Sequence, residues 1–290
     1  MPSGKRARQQ RREAATAVRT PPPVRSKGVG GVRPRQASPR ALAIAGGVAL
    51  IAIVAIVLGV VLGSGGSGGG SGVVTKSDIQ GLPAVGSQTD AVALQGAAEA
   101  NNLFKGIPQT GLVLGKPSAP VEMLMFIDVQ CPICRDYEVS SLPTIVQKYI
   151  RNGKVQLHVQ PWAFLGPQSF TGRLGLIAAT FQNKGYEYAK VLYDNQGAEE
   201  SGWLDGKEMA AIAASVTGLD LARWQKDANG SAAKQIEHAA DRLATTYKVS
   251  GTPTVFIGKT GGQLHDIVAQ GLAPTLQDTE QALDAQLAGA

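Results

Sequence analysis

The two cysteines of this 290-residue chain, Cys131 and Cys134, are separated only by a proline and an isoleucine. They follow a continuous apolar run at residues 121–128, which is typical of a strand buried on both faces of a sheet. After them, apolar residues recur at helical spacing up to residue 150. The sequence therefore predicts that the two thiols lie at the turn from a core strand into a helix.

Three uses of such a cysteine pair can be compared. A structural zinc site needs four ligands, and the three histidines, His158, His238 and His265, are scattered without the spacing of zinc ligands. A structural disulfide between such close positions would stabilise the fold little, because loop-closure stabilisation grows with loop length. Thiol–disulfide exchange remains, so we expect a redox-active pair without a metal or a cofactor.

The position of Cys131 favours a reactive thiolate. It precedes Pro132 and can cap the helix, since proline is favoured at the first helical position. The backbone amides of Ile133 and Cys134 then point at the Cys131 sulfur, and the helix dipole adds positive potential there. Both effects lower a thiol pKa. Cys131 is therefore the predicted nucleophile, and Cys134, one turn later and facing the core, is the predicted resolving thiol.

Charged neighbours of the pair have opposing effects. Arg135 favours a thiolate, whereas Asp128 and Asp136 oppose it. Two interpretations remain for Asp128: it relays protons to Cys134, or it caps the turn at the strand end. His158 likewise either lines the site or belongs to the core or the surface.

The rest of the chain predicts an α/β fold with a mixed central sheet. Besides the buried run, short strands are expected at 111–115, 155–161, 253–258 and 263–268. A strand–helix–strand unit gives a parallel pair, and the two closing strands form an antiparallel hairpin. The predicted helices after the second core strand are Ser169–Gln182, Tyr186–Tyr193, one from Asp205 to Gly218, one from Ser231 to Tyr247, and a last one from about Pro274.

A membrane anchor is predicted at Ala41–Leu62, a run of 22 residues without charge. As a helix it would measure about 33 Å, against a hydrocarbon core of about 30 Å. A buried core helix and a cleaved signal peptide are the alternatives, but the run has no polar face and is longer than a signal-peptide core. Eleven Lys and Arg precede it, so we expect the N-terminus in the cytoplasm and the remainder outside.

Five regions follow from this pattern. They are a disordered basic cytoplasmic tail (1–40), a transmembrane helix acting as a signal-anchor (41–63), a Gly/Ser linker (64–75), a leader with a short helix capped by Asp90 (76–110), and the folded domain (111–290) with a helical insertion at about 165–247. The tail carries a net charge of +10 and the remainder −4, so the basic character belongs to the tail and nucleic acid is not an expected partner. The tail either only sets the topology or also binds anionic lipid headgroups of the bilayer.

Two segments together carry a family resemblance: "DVQCPICRDYE" around the cysteines, and "VSGTPTVFIG" before a later strand. They resemble the membrane-tethered DsbA-type thiol–disulfide oxidoreductases of the thioredoxin-like superfamily, over about residues 106–287. The resemblance implies a thioredoxin-like fold and a cis peptide at Thr252–Pro253 against the two sulfurs. It makes Pro132, Ile133, Thr252 and Pro253 active-site support, with the Thr252 backbone pairing with an extended substrate. It also implies reduced or unfolded secreted proteins as substrates and a membrane quinone-linked reoxidase of the DsbB or VKOR type.

Three functions remain open at this point. The first is an extracytoplasmic oxidase that donates a disulfide to secreted proteins, which agrees with the compartments where disulfides persist. The second is a reductase or isomerase that uses the same site. The third is a tethered binding or chaperone module without a redox cycle, which the presence of both cysteines disfavours. We expect the oxidase.

Overall fold

The computed structural model describes residues 72–88, 93–269 and 271–289. The predicted basic tail, the transmembrane helix, most of the Gly/Ser linker and Asp90 lie outside these residues. Within them, no helix combines the length and the apolar character that a membrane crossing requires.

The strands of the described residues form one mixed sheet in the order β1-β2-β4-β3-β5-β6. Their bounds are β1 Gln109–Thr110, β2 Val113–Leu114, β3 Val121–Ile127, β4 Val155–Pro161, β5 Thr254–Lys259 and β6 His265–Asp266. β3 and β4 pair in parallel, whereas the other neighbours pair antiparallel. The predicted α/β fold with a mixed sheet and a closing hairpin is confirmed.

The edge strands are shorter than the sequence predicts. The strand expected at 263–268 is reduced to β6, which pairs only with Phe256 and Ile257 of β5. β6 has one neighbour and its His265 is exposed, so neither a second ladder nor burial favours a longer strand. At the opposite edge, β2 replaces the strand expected at 111–115, and it pairs with β1, which was not predicted.

The helix before the sheet, α1 (Ala97–Phe104), begins later than predicted. Its N-cap is Gly96, whose φ of 77° is a left-handed conformation that glycine adopts at little cost. The helix that the structure describes is therefore capped by Gly96, and the prediction that Asp90 caps a helix lies outside the described residues.

The helix after the cysteines is divided into three segments. They are α2 (Pro132–Ser140), α3 (Leu142–Ile145) and a π-helical turn (Val146–Ile150), where a single helix was predicted. The break lies at Ser141, two residues before Pro143. Proline has no N–H to donate to the preceding turn, so it interrupts a helix but fits the first turn of a new one.

Five helices lie between β4 and β5: α4 Pro167–Thr180, α5 Gly185–Asp194, α6 Gly206–Ser215, α7 Leu221–Ala228 and α8 Ser231–Thr246. The last helix, α9, spans Leu276–Ala288. α7 was not predicted, because it has eight residues and buries only Leu221, Trp224 and Ala228. The signal for its start is Asp220, whose side chain accepts from the Arg223 amide as an N-cap.

The parallel pair of β3 and β4 positions the cysteines. All residues of both strands are buried. β3 ends at Ile127 and β4 at Pro161, which are register partners, so both strands end at the same edge of the sheet. The Trp162 amide donates to the Ile127 carbonyl at 2.8 Å, which ties the ends of the two strands together. From Ile127 the chain continues through a short turn to Cys131, where α2 begins.

A buried guanidinium connects this edge of the sheet to two helices. Arg173 of α4 donates to the carboxylates of Glu237 and Asp241 in α8, at 3.0 and 2.6 Å. It also donates to the Pro161 carbonyl at 3.4 Å. Its side chain is 3% exposed, so the ion pairs hold α4, α8 and the end of β4 together in a site with little water.

We predict that Arg173→Ala lowers the free energy of unfolding by about 3 kcal/mol, because it leaves partly buried carboxylates without their cation. Lys148→Ala is the control, since it removes the exposed pair with Glu280, and it should cost at most about 1 kcal/mol. Urea unfolding of both variants measures the difference. Equal costs for the two substitutions would contradict the structural role of Arg173.

Candidate active site

Cys131 is the N-cap of α2, and Pro132 is the first residue of that helix, as the sequence predicts. The Cys131 sulfur accepts a hydrogen bond from the Cys134 amide at 3.4 Å. Cys131 is 5% exposed and Cys134 is fully buried. Ile133, between them, is 45% exposed, so the turn that carries both thiols reaches the protein surface.

The segment before β5 forms the opposite wall of the site. The Thr252–Pro253 peptide bond is cis, as the resemblance implies. The Cys131 thiol donates to the Thr252 carbonyl at 3.3 Å. The Thr252 hydroxyl is buried without an oxygen or nitrogen partner in the described part of the chain, and it interacts with both sulfurs.

The two thiols differ strongly in acidity. The pKa of Cys131 is lowered to about 6, chiefly by its hydrogen bond with the Cys134 thiol and further by the Thr252 hydroxyl and the amides of Cys134 and Ile133. Burial opposes this shift without cancelling it. The pKa of Cys134 is raised, first by burial and then by the neighbouring Cys131. Near neutral pH, Cys131 is therefore largely a thiolate and Cys134 a thiol.

Two charged side chains of α2 lie on the surface near the cysteine turn. Arg135 and Asp136 lie 3.8 Å apart on the surface, and Arg135 also donates to the Tyr193 carbonyl at 3.1 Å. The main groups that shift the pKa of Cys131 are instead Cys134, Thr252 and Ile133. The opposing effects of Arg135 and Asp136 on the thiolate stay a prediction.

Asp128 is buried, and its carboxylate organises the turn that leads into α2. Oδ1 accepts from the amide of Gln130 at 2.9 Å and from the hydroxyl of Ser169 at 2.6 Å. Oδ2 accepts from the amides of Phe164 and Leu165, at 2.9 and 3.1 Å. This geometry corresponds to the turn-capping interpretation. The proton-relay role of Asp128 stays a prediction.

His158 lies in the sheet and not at the cysteines. It pairs with Leu124 in the middle of β3, and its Nδ1 is 3.7 Å from Oε1 of Glu122. Burial lowers the pKa of His158 to about 4 and raises the pKa of Glu122. Of the two interpretations of His158, the structure supports the core residue.

Two residues that hold the turn were missed in the sequence. The Tyr193 hydroxyl donates to the Asp128 carbonyl at 3.0 Å. The Gln196 side-chain amide donates to the carbonyls of Val129 and Cys131, at 3.1 and 3.3 Å. No local signal identifies either residue, because only the packing of α5 against α2 brings them to the turn.

Exposed apolar side chains lie close to the cysteine turn. The loop after β4 exposes Phe164, whose ring stacks on Trp162 with 4.8 Å between the centroids. Because the Phe164 amide is bonded to Asp128, this aromatic pair lies next to the turn. With Ile133, it gives the surroundings of Cys131 an apolar surface.

The chemistry available here is that of two sulfurs. In the part of the chain that the structure describes, no group of three or more His, Cys, Asp or Glu side chains is arranged to hold a metal ion. A thiolate at Cys131 can attack a disulfide, and Cys134 beneath it can displace the mixed disulfide that results. The geometry therefore supports dithiol–disulfide exchange.

Two relatives of this chain are named for disulfide bond formation. The chain is 30% identical over 148 residues to the probable disulfide bond formation protein D of Bacillus cereus. The aligned residues make up 50% of this chain and 68% of the relative. It is 26% identical over 160 residues to the disulfide bond formation protein D of Bacillus subtilis, over 53% of this chain and 68% of the relative.

Solved structures share the fold. The oxidised form of BdbD from Bacillus subtilis superposes with a TM-score of 0.54 at 19% identity, over 62% of this chain and 94% of that structure. Alpha-DsbA1 from Wolbachia pipientis superposes with a TM-score of 0.51 at 18% identity, over 66% of this chain and 96% of that structure. At these identities, the likeness shows the thioredoxin-like fold alone.

A protein-family model described as "Thioredoxin" matches residues 108–266, more than half of the chain. The matched span contains both cysteines, the Thr252–Pro253 segment and the helices between β4 and β5. The chain therefore belongs to the thioredoxin-like family, as a DsbA-like protein-disulfide oxidoreductase.

Proposed function

We propose that this protein-disulfide oxidoreductase acts outside the cytoplasm and oxidises the dithiols of secreted proteins. The observation that carries the proposal is the unequal acidity of its two thiols. The fold stabilises the thiolate of Cys131, with a pKa lowered to about 6, and keeps Cys134 buried as a thiol. A site that stabilises its reduced form in this way gives up its disulfide readily.

The reaction begins with the site oxidised. A substrate thiolate attacks the Cys131 sulfur, the bond between Cys131 and Cys134 breaks, and its electron pair leaves on the Cys134 sulfur. A second substrate thiolate then attacks the substrate sulfur of the mixed disulfide and expels the Cys131 thiolate. The substrate loses two electrons and gains a disulfide, while the site gains the two electrons and Cys134 takes up a proton.

Features around the sulfurs suit an unfolded protein substrate. Pro132 fixes the start of α2, and the exposed Ile133 offers apolar contact beside Cys131. On the other wall, the backbone of Thr252, before Pro253, pairs with an extended substrate segment, a form of strand addition. The Thr252 carbonyl lies 3.3 Å from the Cys131 sulfur, so a substrate paired there would place its attacking thiolate beside that sulfur.

The location rests on the uncharged run Ala41–Leu62 and the eleven basic residues before it. As an anchor, this run keeps the domain at the bilayer, where a membrane quinone-linked reoxidase of the DsbB or VKOR type renews the disulfide.

We predict that a membrane-impermeant maleimide labels Cys131 on intact, mildly reduced cells. Labelling only after lysis would contradict the extracytoplasmic location.

The direction of the reaction is tested by the reduction potential of the Cys131–Cys134 couple in the full chain, titrated against glutathione. We expect a reduction potential of about −180 mV or less negative, in the range of protein disulfide isomerase and DsbA. A value near about −270 mV, as for thioredoxin, would indicate a reductase.

Two variants separate redox chemistry from a binding or chaperone role. Cys131→Ala should abolish oxidation of a reduced model protein. Cys134→Ala, supplied with oxidised glutathione, should accumulate a mixed disulfide between Cys131 and glutathione, because no second thiol of the site displaces it. Ser140→Ala, an exposed change on the same helix, is the control and should behave like the parent. Full retention of the biological function by Cys131→Ala would contradict an exchange enzyme and favour the non-redox module.

A further inference from the structure

The chain enters the described domain through an irregular segment that lies on the inserted helices. This segment, residues 73–87, is called here the strap. Val74 is 1% exposed, and Val73, Ile79 and Leu82 are partly buried against the same core. The sequence suggests only a linker and a leader at these positions, so the docking of the strap needs an explanation.

The first residues of the strap are held at the C-terminal end of α7 and at the N-terminal end of α6. Asn229, the C-cap of α7, donates from Nδ2 to the Val74 carbonyl at 2.7 Å, and its Oδ1 accepts from the Val74 amide at 3.4 Å. Gly206 of α6 lies so close that a Cβ there would be 3.2 Å from the Val73 carbonyl oxygen. The start of the strap is therefore fixed by its backbone as well as by the buried side chain of Val74.

The last residues of the strap are held at the opposite ends of the same two helices. Val85 forms an antiparallel bridge with Asp220, the N-cap of α7. The Ser87 amide donates to the carbonyl of Ala214, near the end of α6, at 2.9 Å. The strap thus runs along both helices, from the C-terminal to the N-terminal end of α7.

The direction of α7 shows which end of the strap lies closer to the cysteines. At the start of α7, Arg223 donates to the Phe181 carbonyl just after α4, at 2.9 Å, and one residue later Trp224 donates to the Gly175 carbonyl at 2.8 Å. The two helices are therefore antiparallel, and the end of α7 lies toward the start of α4. That start is bonded to the cysteine turn through Ser169.

The start of α6 leads to the same result. A Cβ at Gly172 of α4 would lie 2.3 Å from Cδ2 of Leu204 and 3.1 Å from Cγ2 of Val129, so these two side chains meet at the glycine. Leu204 directly precedes the N-cap of α6, and Val129 lies in the cysteine turn, two residues before Cys131. The chain therefore enters the domain at the end of the insertion that adjoins the cysteine turn.

This entry point matters because the predicted anchor ends only ten residues before it. Between Leu62 and Gly72 a fully extended chain spans at most about 36 Å, which is less than the diameter of roughly 45 Å for a globular domain of this size. Without the strap, the next held element would be α1 at Ala97, 35 residues after Leu62. The same limit would then be about 126 Å.

We propose that the strap orients the domain, so that the cysteine turn faces the bilayer and meets an integral membrane protein whose own reactive disulfide lies at the membrane surface. The proposal rests on the proposed function, in which Ala41–Leu62 is the anchor and a membrane reoxidase renews the site. In that step the Cys131 thiolate attacks one sulfur of the partner's disulfide, and Cys134, after losing its proton, displaces the partner sulfur from Cys131. The site loses two electrons, and the partner's disulfide gains them and becomes a dithiol.

The test compares two strap variants of the full chain. Val74→Asp places a charge at the buried side chain that holds the strap, whereas Val85→Asp, the matched control, makes the same change at a side chain that is 54% exposed. A third variant keeps the strap and inserts about 25 Gly and Ser residues after Gly70, which gives the domain the reach expected without a strap. Release of the strap is measured as faster tryptic cleavage after the exposed Lys76 in Val74→Asp than in the parent.

Two rates are then measured for each variant. The first is the reduction of the oxidised site by glutathione in the detergent-solubilised protein. The second is the reoxidation of Cys131 and Cys134 in the cell membrane after a brief treatment with a reductant, followed by thiol labelling. Only the second rate depends on how the domain is presented to a membrane partner.

We expect reoxidation to slow about sixfold in Val74→Asp and in the insertion variant. A tether about 3.5 times longer lowers the effective concentration of the site at its partner by about the 3/2 power of its length. The rate with glutathione should stay at the parental value, because the strap is bonded to α6 and α7. Val85→Asp should match the parent in both rates.

Four results would overturn the proposal. They are parental reoxidation in Val74→Asp despite faster cleavage after Lys76, parental reoxidation in the insertion variant, an equal loss of both rates in Val74→Asp, and slower reoxidation in Val85→Asp without faster cleavage. Should Val74→Asp fail to accumulate or keep its strap docked, Asn229→Ala replaces it with the same expectation, since it removes both bonds to Val74. A parent protein that is not reoxidised in the membrane at all would instead contradict the proposed function, so the two failures are distinguishable.

Discussion

The hydrogen bond from the Cys134 amide to the Cys131 sulfur is the interaction on which the rest of the site depends. It exists because a buried strand ends at Ile127, four residues before Cys131, and a helix begins directly after Cys131. A helix N-terminus has unpaired N–H groups and positive potential, and here a sulfur occupies the place of the usual capping oxygen. The hydrogen bond from the Cys134 thiol lowers the pKa of Cys131 most, and the amides of the helix N-terminus lower it further, so local structure makes this cysteine acidic.

The wider fold protects and completes this local arrangement. The parallel pairing of β3 and β4 brings the loop after β4 to the cysteine turn. The antiparallel pairing of β3 and β5 brings Thr252 to the other side. Between β4 and β5, the inserted helices supply Ser169, Tyr193 and Gln196, which fix the turn. The result is a pair of adjacent sulfurs in different environments. Cys131 is 5% exposed and is stabilised as an anion, whereas Cys134 is fully buried and neutral.

The sequence was informative where local rules decide the structure. The N-cap role of Cys131, the position of Pro132 and the buried character of β3 follow from spacing and composition over a few residues. The break before Pro143 also has a local cause, although the helical period of the apolar residues concealed it. Short elements such as α7 escaped because only three of its eight residues face the core.

Long-range contacts set the limit of prediction. Asp128 was identified as important, but its four donors come from residues as far as Ser169 in the chain, so its partners could not be read from the sequence. Arg135 and Asp136 pair with each other on the surface, a contact that the sequence analysis did not predict. His158 belongs with Glu122, a partner fixed by the register of β3 and β4.

The most direct measurement of the central claim is the titration of Cys131 in the reduced, full-length protein, followed by thiolate absorbance. The account predicts ionisation of one thiol centred near pH 6, the value to which its pKa is lowered, with Cys134 remaining protonated well into the alkaline range. The rate of reaction of Cys131 with a small disulfide should rise through the same pH interval, because the thiolate is the nucleophile. Ionisation of both thiols together near the ordinary cysteine value of about 8.5 would contradict the account.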